Sequence, residues 1–106
     1  MRDEPVIDVD HLDGFTDGDR QLEGELAALF LSTAEVYVER MGQALAAGES
    51  WAGTAHALKG ASANLGARRL ALIARLAEHA PPDAATLEDV QGAFAEIRDF
   101  FHARRF

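Results

Sequence analysis

The chain has 106 residues and a formal net charge of −8, from 18 Asp and Glu against 10 Lys and Arg. That length supports one domain with a modest core, and the acidic balance argues against nucleic-acid or anionic-membrane partners, which need a cationic footprint. The absence of cysteine excludes disulfides, thiolate chemistry and cysteine-held metal centres.

The opening "MRDEPVIDVD" is acidic and has no apolar core of a leader, and no apolar run reaches membrane-spanning length. A cytoplasmic location is therefore expected. Residues 1–7 read as a flexible extension, and residues 8–106 as a single helical domain. "DVDHLDG", Asp8 to Gly14, predicts a short first helix with Val9 and Leu12 facing inward. "TDGD" is turn chemistry, and Asp17 or Asp19 suits the N-cap of the next element.

That element is predicted as a long helix over Arg20–Ala47. Leu22, Leu26, Leu29, Thr33, Val36 or Tyr37, and Leu45 form its expected buried stripe, with Phe30 and Met41 at the edge. Gly48 stops it, and Ser50 is placed to cap the following helix, Trp51 to about Leu65. Gly66 ends that helix. A further helix from about Arg68 to His79 offers Leu70, Leu72, Ile73, Leu76 and Ala77 as its apolar set. "APPD" breaks the chain. The last helix is predicted from about Thr86, with Thr86 and Asp89 as a capping box and Leu87, Val90, Phe94, Ile97 and Phe101 turned inward. The fold class is thus all-α: an antiparallel, up-down four-helix bundle with a short N-terminal helix.

One segment departs from an ordinary surface pattern. At roughly 100° per residue, Trp51, Ala55, Leu58, Ser62 and Leu65 fall within about 40° of one direction, and His56 lies roughly 140° away from it. His56 therefore faces outward, and its outward neighbours are Ala52, Gly53, Gly60 and Ala63. Interior helix glycines each cost up to about 1 kcal/mol relative to alanine. A face kept bare around one imidazole points to another surface that must approach it; a small-residue helix–helix packing seam with an incidental histidine is the alternative reading. Lys59, the only lysine in the chain, lies three residues on and so beside His56. No acidic residue occurs from Trp51 to Ala77, while Lys59, Arg68, Arg69 and Arg75 do. This cationic island suits an anion of phosphate size.

The run His56-Ala57-Leu58-Lys59-Gly60-Ala61-Ser62, continued by Asn64-Leu65-Gly66, resembles the H-x-L-K-G-x-S-x-x-x-G motif of histidine-containing phosphotransfer (HPt) domains. "LEGELAALFLSTA" is also similar to the helix that precedes the motif in that family. The resemblance spans roughly residues 8 to 104 and implies a phosphocarrier, not an enzyme in its own right. It implies that His56 accepts the phosphoryl group, that Lys59 supports it electrostatically and that Gly60 gives access. Ser62 would sit beneath the site and help orient the helix or the imidazole, and Gly66 would end the helix and permit close packing. Arg68 and Arg69 are candidates for partner contact. The implied partners are receiver domains of response regulators and a hybrid histidine kinase. No cofactor belongs to the chain itself, and Mg²⁺ is expected from the receiver. A monomer is expected.

Other classes fit less well. A kinase dimerisation helix usually carries an acid directly after its histidine, where this chain has Ala57. Glu-x-x-His spacing for a di-iron site fails because Gly53 precedes His56 by three. The acidic run of Asp8, Asp10, Asp13, Asp17 and Asp19 misses calcium-loop spacing, and His11, His79 and His102 read as surface residues. A non-phosphorylated adaptor with this fold, or a phosphotransfer domain detached from a hybrid or chemotaxis-type kinase, remain the alternatives. The first long helix is expected to contribute Glu35, Glu39 or Gly42 to the partner surface.

Overall fold

A computed structural model describes residues 6–104, and every regular element among them is an α-helix. The helices are α1 (Val9–Thr16), α2 (Arg20–Ala47), α3 (Ala52–Leu65), α4 (Arg68–Glu78) and α5 (Ala84–Ala103). α2 packs against α3 and α5, and α4 packs against the same two, so the four longer helices close a ring; α1 lies on α2. The expected flexible extension falls mostly outside the described residues, but Ile7 is buried and Val6 packs against the core.

The caps follow local chemistry. Asp8 and Asp19 accept hydrogen bonds from the backbone N–H groups of His11 and Leu22 and so start α1 and α2. Gly48 and Gly66 end α2 and α3 with left-handed backbones, φ 72° and 93°. Gly66 is also hemmed in: a Cβ there would stand 3.1 Å from the His11 ring and 3.2 Å from the Asp8 carbonyl. The Asp8 N–H donates to the Gly66 carbonyl at 2.8 Å, and Asp8 pairs with Arg68 at 3.0 Å. The α3–α4 turn is therefore fastened to the start of α1. Two predicted caps move. Trp51 holds the N-cap position of α3, while the Ser50 hydroxyl accepts from the Ala52 N–H. α5 starts two residues before the predicted Thr86, because Asp83 caps it and takes both the N–H and the hydroxyl of Thr86.

The predicted buried stripes hold for α3 and α5 but rotate on α2. Its core face is Glu23, Ala27, Phe30, Ala34 and Met41, whereas Leu22, Leu29 and Val36 are exposed. Small residues set this choice: helices approach most closely where alanines face the neighbour. Ala27 and Ala34, not the leucines, lie at the centre of the contact. α4 behaves alike, with Leu70, Ala74 and Ala77 inside and Leu76 outside. Gly42 faces α5, since a Cβ there would meet Leu87 at 3.8 Å. The flank of α2 beside α3 is instead apolar: Phe15, Leu26, Leu29, Thr33, Ala61 and Leu65 border a shallow depression of about 300 Å³.

Candidate functional site

The site sits on the outer faces of α3 and α4, over a well-anchored floor. Trp51, Ala55, Leu58, Ser62 and Leu65 are all buried, as their spacing predicts. Trp51 Nε1 donates to the Ala77 carbonyl at 2.9 Å, which ties the start of α3 to the last turn of α4. These contacts fix how α3 is rotated. They leave the His56 side chain 65% exposed, with Gly53, Gly60, Ala63 and Asn64 exposed around it. A Cβ added at Gly53 or Gly60 would meet nothing within 4 Å. The internal packing therefore gives no reason for either glycine, and the room they leave lies on the solvent side.

His56 is not isolated. Its Nδ1 lies 2.8 Å from Oε2 of Glu78, the last residue of α4. Lys59 Nζ lies 3.2 Å from the other carboxylate oxygen, Oε1, close enough to pair but off the line of a hydrogen bond, and Oε1 accepts none. Burial pushes the Glu78 carboxyl up, but the hydrogen bond from His56 and the charge of Lys59 more than reverse this, holding it below the usual carboxylate range. An ionised carboxylate only accepts hydrogen bonds. The hydrogen of a neutral His56 is thereby placed on Nδ1, and Nε2 keeps its lone pair and faces outward.

His56, Lys59 and Gly60 thus share one face. Ser62 lies beneath it on the inward stripe of α3: the side chain is fully buried, and its hydroxyl makes no hydrogen bond, to His56 or to anything else. The polar contact to the imidazole comes from Glu78. Arg68 is engaged with Asp8, and Arg69 with Glu96 on α5.

A family model described as Hpt domain matches residues 25–105. The chain belongs to the Hpt domain family. Among solved structures, this Hpt domain is similar to the crystal structure of histidine-containing phosphotransfer protein B (HptB) from Pseudomonas aeruginosa PAO1. The two are 26% identical, 94% of each chain is covered, and the TM-score is 0.83. Comparison with curated protein sequences gives no match. No helix among the described residues is long and apolar enough to cross a membrane.

Glu78 is the residue of this Hpt domain's site that sequence reasoning missed. It lies 22 positions beyond His56 on another helix, outside any local motif. One signal was present. Glu78 is the first acid after a run of 28 residues without one, and it falls at the carbonyl end of a helix, where a negative charge is disfavoured.

Proposed function

We propose that this chain is a phosphocarrier of a phosphorelay, in which His56 takes a phosphoryl group from a phosphoaspartate on one receiver domain and delivers it to another. The observation that carries this reading is an exposed imidazole on a face cleared of side chains, with Nδ1 occupied and Nε2 free. In the forward step the Nε2 lone pair forms a bond to phosphorus while the acyl P–O bond breaks, and the aspartate leaves as a carboxylate. The return step reverses each bond. The phosphoryl group adds nearly two negative charges on the outer face, where it displaces no core contact.

Lys59 offsets part of that charge, and Gly60 and Gly53 leave the partner room to close on the imidazole. Among the described residues, the carboxylate at His56 is that of Glu78, which already holds His56 and Lys59, a donor set unsuited to Mg²⁺, which needs several oxygen ligands in octahedral array. The metal ion of the reaction belongs on this reading to the receiver. The apolar flank of α2 beside α3, with Leu29 64% exposed, offers the partner a landing surface in place of Glu35, Glu39 or Gly42. We further take the four longer helices as an up-down bundle acting as a cytoplasmic monomer.

The test is transfer from a phosphorylated receiver domain with Mg²⁺ to the wild-type chain and to His56→Gln. Label that is acid-labile, base-stable and lost in His56→Gln is expected. Label that survives the substitution would move the site elsewhere, and a folded wild-type chain that takes no label from any receiver would end the carrier reading.

A further inference from the structure

We infer that Arg40 and Arg75 are specificity-determining residues, which stand on either side of the His56 face and select receivers whose contact rim is acidic. The inference rests on the carrier reading of His56 and concerns the partner of that site.

The first observation is where the free positive charge lies. Among the described residues, Lys59 is paired with Glu78, Arg68 with Asp8, Arg69 with Glu96 and Arg104 with Glu23. Arg20 donates to the Arg104 carbonyl, and Arg98 lies over the Phe94 ring. Arg40 and Arg75 are the described cations left exposed and without a partner. No acid stands three or four positions from Arg40 along α2. Glu78 is three positions from Arg75, but its two oxygens are turned to His56 and Lys59.

The second observation is how the two sit around α3. On α4, Arg75 lies roughly 60° from Glu78 toward solvent and about 4.5 Å from it along the axis. Glu78 reaches His56 at 2.8 Å, so Arg75 flanks the imidazole on that side. On α2, Arg40 falls within about 20° of both Leu29 and Thr33, which border the apolar depression beside α3. It stands about 10 Å nearer than Thr33 to the turn that leads into α3. α3 returns along α2 after that short turn. Thr33 there meets Ala61, and Arg40 accordingly comes level with the part of α3 that carries His56.

Size then decides what covers them. A specific protein contact buries about 800 Å² on each partner, a disc of about 16 Å radius, while packed helices stand only about 8 to 10 Å apart. A receiver centred on Nε2 therefore overlies the near flanks of both α2 and α4, and with them both arginines. The charge of the two surfaces gives those arginines work. This chain carries −8 overall, and a receiver that holds Mg²⁺ must itself present oxygen ligands for it. Two acidic surfaces repel, so a guanidinium at each edge of the bare strip favours receivers that place carboxylates opposite. Charges at the rim of a contact act on encounter and on choice of partner. Bond-making at phosphorus stays with His56.

The experiment follows the initial rate of transfer to the whole chain against receiver concentration, with Mg²⁺, for phosphorylated receivers whose rims differ in charge. Arg40→Gln and Arg75→Gln should each raise the half-saturating concentration about two- to fivefold, the size of one exposed ion pair, and leave the rate at saturation unchanged. The two residues sit on different helices, so the double variant should show about the product of the single effects. The penalty should grow with the acidity of the rim and fade at high salt. Arg98→Gln makes the same change in net charge on α5, which packs on α2 and α4, and it should transfer like wild type. Melting curves of Arg40→Gln and Arg75→Gln should match wild type, since both side chains are exposed. A lower rate at saturation with unchanged half-saturation would place the arginines in the chemistry and overturn the inference. An equal penalty from Arg98→Gln, or a penalty indifferent to rim charge, would overturn it too. A wild-type chain that takes no label from any receiver would end the carrier reading, whereas wild-type transfer that neither substitution alters would end only this inference.

Discussion

Because Glu78 gains its partners only on folding, its charge couples stability to pH in one direction. The carboxyl is held below its ordinary value of 4.5 in the folded chain. The charged form is thus the one that folding favours. Its contribution is complete above the ordinary value and is lost as pH falls through 4.5 toward the lower folded value. Asp8 and Asp83 behave alike, chiefly through hydrogen bonds from the backbone N–H groups of His11 and Thr86, so acid weakens the whole protein. Comparison with Glu78→Gln isolates the single residue, since the two aspartates act equally in both chains. The stability advantage of wild type over Glu78→Gln, from urea midpoints between about pH 6 and pH 3, should shrink across that window. A constant difference would mean that the His56 and Lys59 contacts do not favour the ionised carboxylate. At this scale the sequence was half legible. His56, Lys59 and Gly60 stand within one helical turn and a bit, so their shared face follows from helix geometry alone. Glu78 joins them only because α4 folds back along α3, and no spacing rule reaches across that turn.

Among the elements, α3 carries the clearest conflict between stability and use. Its glycines at 53 and 60 are helical, exposed and touch nothing. Gly60→Ala should therefore stabilise the fold by up to about 1 kcal/mol, by lowering the entropy lost on folding and shielding the backbone. The same methyl group projects beside the imidazole, where a receiver must close, so transfer from a phosphorylated receiver should fall severalfold. Thermal melts and transfer rates measured on one preparation check both signs. A gain in stability with no loss of transfer would mean that the partner does not approach over Gly60. The inward face of α3 was readable because its large residues and its tightest contacts coincide on one stripe. α2 was misread because they do not coincide there. Leu22, Leu29 and Val36 have the greater apolar area, yet Ala27 and Ala34 allow α2 to press into its neighbours, and the leucines are left on the flank. Counting apolar residues locates a stripe; it does not say which side two other helices will take. The start of α5 shifted for a similar reason: Asp83 satisfies two donors of Thr86 at once, which outweighs the predicted start at Thr86 itself.

At the scale of the whole molecule, the described residues extend over 43 × 26 × 20 Å, and two buried polar ties sit toward opposite ends. Near the start of α2, Glu23 is almost wholly buried and is clasped by Arg104, the C-cap of α5, at 2.6 and 3.2 Å. Arg20 and Asp13 stand nearby, at 3.8 Å from Glu23 and 3.9 Å from Arg104. Near the other end, the Trp51 indole grips the Ala77 carbonyl, one residue before Glu78. The first tie holds helix ends remote from His56, whereas the second holds the very turn that presents Glu78 to it. Breaking each should therefore separate stability from transfer. Arg104→Met leaves the Glu23 carboxylate buried without its main partner and should cost about 2 to 3 kcal/mol, the lower part of the range because Arg104 is partly wet. Trp51→Phe loses a hydrogen bond and part of a ring from the core and should cost about 2 kcal/mol. Urea denaturation would measure both. Well below either melting temperature, Arg104→Met should transfer phosphoryl groups like wild type. Trp51→Phe should instead be slower and show a mixed His56 tautomer, because the end of α4 is no longer held against α3. Equal transfer by the two variants would mean that the last turn of α4 keeps Glu78 in place without the indole.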